Sequence, residues 1–147
     1  MSNNTITSIT LPEGLTSIED EAFSGCNLTS ITIPESVTSI GKSAFDICSG
    51  LTSAIISPKV TLIGEYAFYD CSGLIMVTIP PNVTSIGEYA FYGCSLISVV
   101  CKSSTPPNIE NIGWIVEKIN VSASSVDLYK TAEGWKDYNI EAITSIN

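Results

Sequence analysis

The 147-residue sequence contains no histidine and no arginine, so its six basic residues are all lysines. Without histidine, imidazole catalysis of the Ser-His-Asp or Cys-His type and histidine metal ligation are excluded. Without arginine, the chain lacks the bidentate fork that binds phosphate groups. Fifteen acidic residues bring the net charge to −9, which argues against nucleic acid and anionic membrane surfaces as partners.

Long hydrophobic runs are also missing. No segment approaches the roughly 18 consecutive apolar residues of a membrane-spanning helix, and the first residues lack a signal-peptide pattern. We therefore expect no membrane insertion. Charged residues make up only 14% of the chain against 44% apolar residues, a balance that is typical of a folded domain with a substantial core. The length predicts a single domain.

What the sequence does contain is a repeat of 22 to 23 residues. Its clearest marker is an Ala-Phe pair followed three residues later by cysteine, and the phenylalanines are Phe23, Phe45, Phe68 and Phe91. One unit, residues 28–48, reads L-x-x-I-x-I-P-x-x-V-x-x-I-G-x-x-A-F-x-x-C. Units this short cannot bury their apolar residues alone, so the repeat predicts a solenoid of stacked coils that share one core.

The periods inside one unit predict its local structure. Ile31 and Ile33 alternate with polar residues, which indicates a strand that ends at the following proline. Val37 and Ile40 mark a second short extended segment, and a glycine then permits a bend. In residues 42–48 the apolar side chains are three and four apart, which predicts a short helical turn.

This motif resembles the BspA-like leucine-rich repeats of bacterial and some protist surface proteins. The resemblance implies a short right-handed α/β-type superhelix with a parallel β-sheet, about five coils and a C-terminal cap. The leucine-rich repeat coils would occupy residues 1–101, and an irregular last coil and the cap would occupy residues 102–147. The resemblance also implies a cell-surface or secreted protein with a role in adhesion, whose partner would be a host or extracellular-matrix protein.

Several positions depart from the motif. Glu19 replaces the glycine of the bend, Ser57 replaces the proline that ends the strand, and the coil after Cys101 loses the Ala-Phe pair. The last departure predicts that the regular array ends there. At the other end no cap is visible, so we expect either a longer array or self-association through the first coil.

The tail reads as a lid over the open end of the stack. Residues 119–121 alternate as a last strand, and Ser124 or Ser125 could cap a helix over residues 126–133. Bulky aromatic side chains in this segment would cover the core, and they are Tyr129, Trp135 and Tyr138.

Four of the five cysteines share one repeat position, so their side chains should stack up the core. Stacked Cβ atoms would be about 4.8 Å apart and point the same way, whereas a disulfide needs about 3.5–4.5 Å. Four positions on a ladder also cannot converge on one tetrahedral zinc ion. We therefore predict free, buried thiols and no metal or cofactor.

Two surfaces are candidate binding sites. The first is the outward face of the sheet, which the resemblance to leucine-rich repeats nominates and which carries no charge; its residues are Ser8, Thr10, Ser30, Thr32, Ser53, Ile55, Met76, Thr78, Ser98 and Val100. The second is an outer patch in which polar repeat positions have become aromatic; its residues are Tyr66, Tyr69, Tyr89 and Tyr92. Exposed tyrosines favour contact with protein or sugar, although they could equally pack on one another.

These observations favour a non-enzymatic protein-interaction module. One alternative is a carbohydrate-binding or carbohydrate-cleaving solenoid, in which the tyrosines stack on sugar and the in-register Glu65 and Glu88 supply carboxylates or bind Ca²⁺. It ranks lower because a regular stack offers no cleft with convergent groups. A second alternative is a structural spacer within a longer repeat protein.

Overall fold

The computed structural model describes residues 6–144, which fold as a stack of coils joined by parallel strands. In chain order the strands are β1 (Ser17–Ile18), β2 (Ser30–Thr32), β3 (Ser39–Ile40), β4 (Ser53–Ile55), β5 (Leu62–Ile63), β6 (Met76–Ile79), β7 (Ser85–Ile86), β8 (Ser98–Cys101), β9 (Asn108–Ile109), β10 (Ile119–Val121) and β11 (Ile140–Ala142). A 3-10 turn (Ala123–Ser125) and helix α1 (Val126–Thr131) lie between β10 and β11. The predicted solenoid is confirmed. Of its two predicted parts, residues 1–101 and 102–147, the outermost residues 1–5 and 145–147 lie outside the described residues.

Each regular coil has three legs. The first legs form a sheet that we call the first-leg sheet, in which β2 pairs with β4, and β6, β8, β10 and β11 pair in that order. The second legs form the second-leg sheet, with the order β1, β3, β5, β7, β9. All of these pairs are parallel. The pairs among β1 to β9 keep the repeat spacing, for example Ile40 with Ile63 and Val77 with Val99. The last two pairs are closer along the chain, with Val99 opposite Ile119 and Ile119 opposite Ile140.

The third leg, which we call the turn leg, comprises residues 19–26, 41–48, 64–71 and 87–94 in the four regular coils. The predicted helical turn is wrong here. Ser43 and Ile47 have φ angles of 55° and 59°, and the N–H groups alternate between two kinds of partner. Phe45 N–H donates to the next coil at Ala67 O (2.8 Å), whereas Ala44 N–H donates locally to Gly41 O (3.3 Å). Spacings of three and four residues fit both a helix and this chain of turns, so the sequence pattern did not separate them.

The bend glycines serve close packing rather than backbone freedom. The φ angles of Gly41 and Gly64 lie outside the left-handed region. A Cβ atom on Gly64 would lie 2.7 Å from the Gly41 carbonyl carbon and 2.8 Å from Lys42 N. Glycine is therefore needed where one coil's backbone crosses close to the backbone of the coil before it. Glu19, in the first described coil, instead holds an exposed carboxylate that accepts a hydrogen bond from Ser17 Oγ (2.6 Å).

The core is a column of stacked aromatic rings between the three legs. Phe23, Phe45, Phe68 and Phe91 stack with centroid distances of 5.2–5.3 Å and interplanar angles of 10° or less. Trp114 continues the column, 5.8 Å from Phe91, although the coil after Cys101 lacks the Ala-Phe pair. The stack thus extends past the last coil that matches the motif, because β9, β10 and β11 add to the same two sheets.

The C-terminal segment closes this end of the core. The Tyr129 hydroxyl donates to Ser103 O (2.7 Å) and Trp135 Nε1 donates to Pro107 O (2.8 Å), so both buried rings are tied to the last coils. The predicted helix is present but ends at Thr131. Ser125 occupies its N-cap position, as predicted, but makes no side-chain capping hydrogen bond. Ser125 Oγ instead donates to Ser104 O (2.9 Å), which ties the start of the helix to the stack.

Candidate functional site

Eight of the ten predicted sheet residues lie in strands of the first-leg sheet, on its outward face. Ser8 and Thr10 are exposed but precede the first strand, and Ser98 and Val100 in β8 are half-buried. The other six are exposed, on β2, β4 and β6. The most prominent are Ile55 and Met76, each with 60% of its surface exposed. No charged side chain belongs to this set, although Glu141 in β11 is exposed on the same face at the C-terminal end of the sheet.

Two further apolar residues on this face were missed by sequence reasoning. Ile75 and Ile97 are 43% and 63% exposed and occupy the repeat position of Thr29 and Thr52 in earlier coils. The sequence signal for them was a repeat position that is threonine in coils two and three and isoleucine in coils four and five. Ile75, Met76 and Ile97 extend the exposed apolar surface over coils four and five.

The first-leg sheet is interrupted within this surface. β4 and β6 are neighbours in the stack but form no ladder, and Ala54 stands where β2 and β6 bury Ile31 and Val77. Grooves lie beside the gap. One of about 300 Å³ is lined by residues that include Ile55 and Thr78, and one of about 330 Å³ by residues that include Ala54 and Met76.

The four predicted tyrosines come together on the turn legs of coils three and four, and we call them the tyrosine cluster. Adjacent ring centroids are 5.3–5.7 Å apart around a four-membered ring of contacts. Tyr69 and Tyr92 are nearly parallel (13°), whereas Tyr66 and Tyr89 stand at 62° and 80° to them. The rings pack on one another and still remain partly exposed, with Tyr92 at 43%. They line a pocket of about 250 Å³.

The surroundings of the cluster are acidic. The negative charge of Asp70 raises the pKa of the neighbouring Tyr69 hydroxyl. Glu65 is engaged by Lys42, with Nζ 3.7 Å from Oε1, in an exposed pair. The Tyr89 hydroxyl accepts a hydrogen bond from Asn111 Nδ2 (2.9 Å). A negative potential therefore surrounds rings whose hydroxyl groups lie at the surface.

The stacked cysteines have a structural role in the core. All five cysteines lie within the described residues, and none of them forms a disulfide. Cys48 and Cys71 Sγ each donate to the carbonyl oxygen of a phenylalanine in the preceding coil, at 3.1 and 3.0 Å. Burial raises the pKa of Cys48 to about 11 and of Cys94 to about 12, and it raises the pKa of Cys71 as well. These thiols stay protonated at neutral pH and are poor nucleophiles.

A larger cleft lies next to the tyrosine cluster at the C-terminal end and was not anticipated from the sequence. Its volume is about 600 Å³, and its lining includes Tyr92, Ile115, Asp137 and Tyr138. The repeat pattern does not predict this cleft, because most of its lining comes from the irregular fifth coil and the cap. Within residues 6–144 no three acidic or cysteine side chains converge as metal ligands, and no helix in that range has the length and apolar content to cross a bilayer.

Comparisons with known proteins agree with this architecture. Residues 1–113 match the family model of the BspA type leucine-rich repeat region, with six copies. A leucine-rich repeat protein from Bacteroides capillosus is 35% identical, with a TM-score of 0.56 over 59% of this chain and 63% of that protein. A leucine-rich cell surface protein from Faecalibacterium prausnitzii is 29% identical, with a TM-score of 0.70 over 88% of this chain.

The chain spans only 36% of the Faecalibacterium protein. A leucine-rich repeat protein from Bacteroides ovatus shares the fold at 22% identity, with a TM-score of 0.56 over 94% of this chain and 49% of that protein. No functionally curated protein matches the sequence. The repeat motif, the parallel-strand solenoid and the family match over residues 1–113 lead to one conclusion: the chain belongs to the BspA-type leucine-rich repeat family.

Proposed function

We propose that this chain is a non-enzymatic protein-binding module of a cell-surface or secreted protein, and that it presents the first-leg sheet to its partner. The observation that carries the proposal is the uncharged, partly apolar face that β2, β4, β6 and β8 present. Ile55, Met76 and Ile97 are each at least 60% exposed on a chain with a net charge of −9. Contiguous apolar surface rimmed by polar residues marks protein-interaction sites.

The proposal extends to an adhesin-like role with a host or extracellular-matrix protein as partner. Support comes from the family and from the relative in Faecalibacterium that is described as a cell surface protein. The carbohydrate-cleaving alternative has less support, because Glu65 is paired with Lys42 and strands β2, β4, β6 and β8 hold no carboxylate. The spacer alternative gives no reason for exposed isoleucines at positions where other coils have threonine.

The test is a binding screen of the purified chain against extracellular-matrix proteins, with a glycan array run beside it at physiological salt. The double variant Thr32→Glu and Thr78→Glu places two charges on the exposed face of the first-leg sheet. We expect it to weaken protein binding at least about tenfold, because each buried unpaired charge costs more than a typical interface contact. Thr61→Glu, at an exposed position beside the second-leg sheet, is the matched control and should bind like the parent.

Thermal unfolding of all variants checks that the sheet remains folded. Selective protein binding that the double variant loses supports the proposal. Binding that survives unchanged in the double variant would place the site elsewhere, and a chain that binds no protein in the screen would favour the spacer.

A further inference from the structure

The tyrosine cluster is a second candidate surface, and it lies on the turn legs rather than on the first-leg sheet. Its pocket is lined by a single residue type. Of the residues that the structure describes, only Tyr66, Tyr69, Tyr89 and Tyr92 line its pocket. The volume of about 250 Å³ is several times the roughly 30 Å³ that one water molecule occupies in the liquid. The pocket thus has room for a small organic group in contact with more than one ring.

The ring arrangement makes a corner rather than a flat platform. Tyr69 and Tyr92 stack nearly parallel at 5.6 Å, and the rings of Tyr66 and Tyr89 meet them at steep angles with centroids 5.3 and 5.4 Å away. A group seated in this corner lies within reach of several aromatic quadrupoles at once. Cations bind aromatic faces when they lie within about 6 Å of the ring centroid.

The charge around the pocket favours the same kind of ligand. The two turn legs that carry the tyrosines hold three carboxylates and no lysine, and Lys42 of the preceding turn leg already pairs with Glu65. Asp46 occupies the position of Tyr69 one coil earlier, and its Oδ1 atom is buried with no hydrogen-bond partner. An acidic surface with a buried, uncompensated carboxylate oxygen attracts cations and repels anions.

A sugar fits this pocket less well. Sugar recognition needs polar groups of several kinds that converge on hydroxyls, whereas the side-chain polar groups of this lining are the four tyrosine hydroxyls, and the Tyr89 hydroxyl already accepts from Asn111. We propose that the tyrosine cluster binds an organic cation of the alkylammonium or guanidinium class. The ligand could be a free quaternary ammonium compound or a basic side chain of a partner protein, since both present the same charge to the rings. This site is separate from the first-leg sheet and does not depend on the proposed function.

The experiment is an NMR titration of the tyrosine ring signals with choline and, as a neutral control of the same shape, 3,3-dimethylbutan-1-ol. We expect saturable shifts with choline in the millimolar range, and binding of the neutral compound weaker by about tenfold, because cation–π attraction is lost. A parallel titration with N-acetylarginine amide identifies the source: tighter binding of this probe indicates a protein side chain, and tighter binding of choline indicates a free compound.

Two variants locate the site. Tyr69→Leu with Tyr92→Leu removes the parallel pair and should weaken choline binding at least about tenfold, whereas Tyr69→Phe with Tyr92→Phe keeps both π faces and should stay within about twofold. Equal binding of the neutral compound, or no saturable shift with either cation, would overturn the proposal. The Thr32→Glu and Thr78→Glu variant should bind choline normally, so failure here and failure of sheet binding are separate results.

Discussion

The two sheets of this solenoid are built from the same coils, yet only one of them is continuous. The second-leg sheet runs unbroken through five strands, whereas the first-leg sheet is divided between β4 and β6. Every coil buries an isoleucine at the same point of the second leg, from Ile18 to Ile109. On the first leg the corresponding series drops from Ile31 to the half-buried Ala54 and returns to Val77.

We attribute the break to the small residue beneath β4, because a small side chain leaves fewer packing contacts under its strand. β4 still pairs with β2 in register, so the break lies between β4 and β6 alone among the described first-leg strands. The divided sheet is also the one with exposed Ile55 and Met76. The continuous sheet thus serves stability, and the divided one provides the surface we propose for binding.

The largest effect should come from the second-leg core. Ile63→Ala removes a fully buried side chain from the middle strand of the continuous sheet, and we expect the free energy of unfolding to fall by about 2–5 kcal/mol. The matched control is Ile55→Ala in the divided sheet, which should stay within about 0.5 kcal/mol because Ile55 is exposed. Urea unfolding measures both; equal losses would contradict the distinction between the sheets.

A smaller loss is expected where the second leg bends into the turn leg. The methyl group in Gly64→Ala would meet backbone atoms of Gly41 and Lys42, which cannot move aside cheaply, so we expect about 1–3 kcal/mol of destabilisation. Gly50→Ala is the control, because its Cβ would lie 3.7 Å from Leu28 O in ordinary contact. If the two variants unfold at the same urea concentration, close backbone packing is not the reason for the bend glycine.

Ala54→Val should repair the divided sheet. The added methyl groups fill the half-buried position beneath β4 and should stabilise the fold by about 0.5–2 kcal/mol, as other cavity-filling changes do. Amide hydrogen exchange should slow in β4 and β6 while β5 and β7 keep their rates. A gain in stability with unchanged exchange in β4 would mean that the interruption has another cause.

The smallest effect concerns threonine ladders that run beside both sheets. Thr52 Oγ1 donates to Thr29 O (3.1 Å) beside the first-leg sheet, and Thr61 Oγ1 donates to Thr38 O (3.3 Å) beside the second. Thr52→Val and Thr61→Val keep the branched shape and remove the hydroxyl, so each should cost about 0.5 kcal/mol. Similar decreases in the free energy of unfolding would show that the threonine hydrogen bonds stabilise both sheets equally. A decrease above about 1.5 kcal/mol in only one of the two variants would contradict that equality.

Much of the architecture could be predicted because the repeat spacing can be read directly from residue positions along the chain. The spacing of Phe23, Phe45, Phe68 and Phe91 predicted stacked coils with a shared core, and the in-register cysteines predicted the absence of disulfides. The turn legs were misread because a helix and a chain of turns share the same spacings. That four tyrosines come together could be predicted from their repeat positions in two neighbouring coils. The angles between their rings could not be predicted in this way.

The sequence by itself determined the coil length, the order of the legs and which side chains face the core, because each depends on residues that recur at a constant spacing. Only the tertiary structure decided where the first-leg sheet divides, which backbone contacts require glycine at position 64, and how Trp114 extends the aromatic column. These features depend on distances between neighbouring coils. Such distances arise from packing between residues 22 or 23 positions apart, and local patterns in the chain do not encode them.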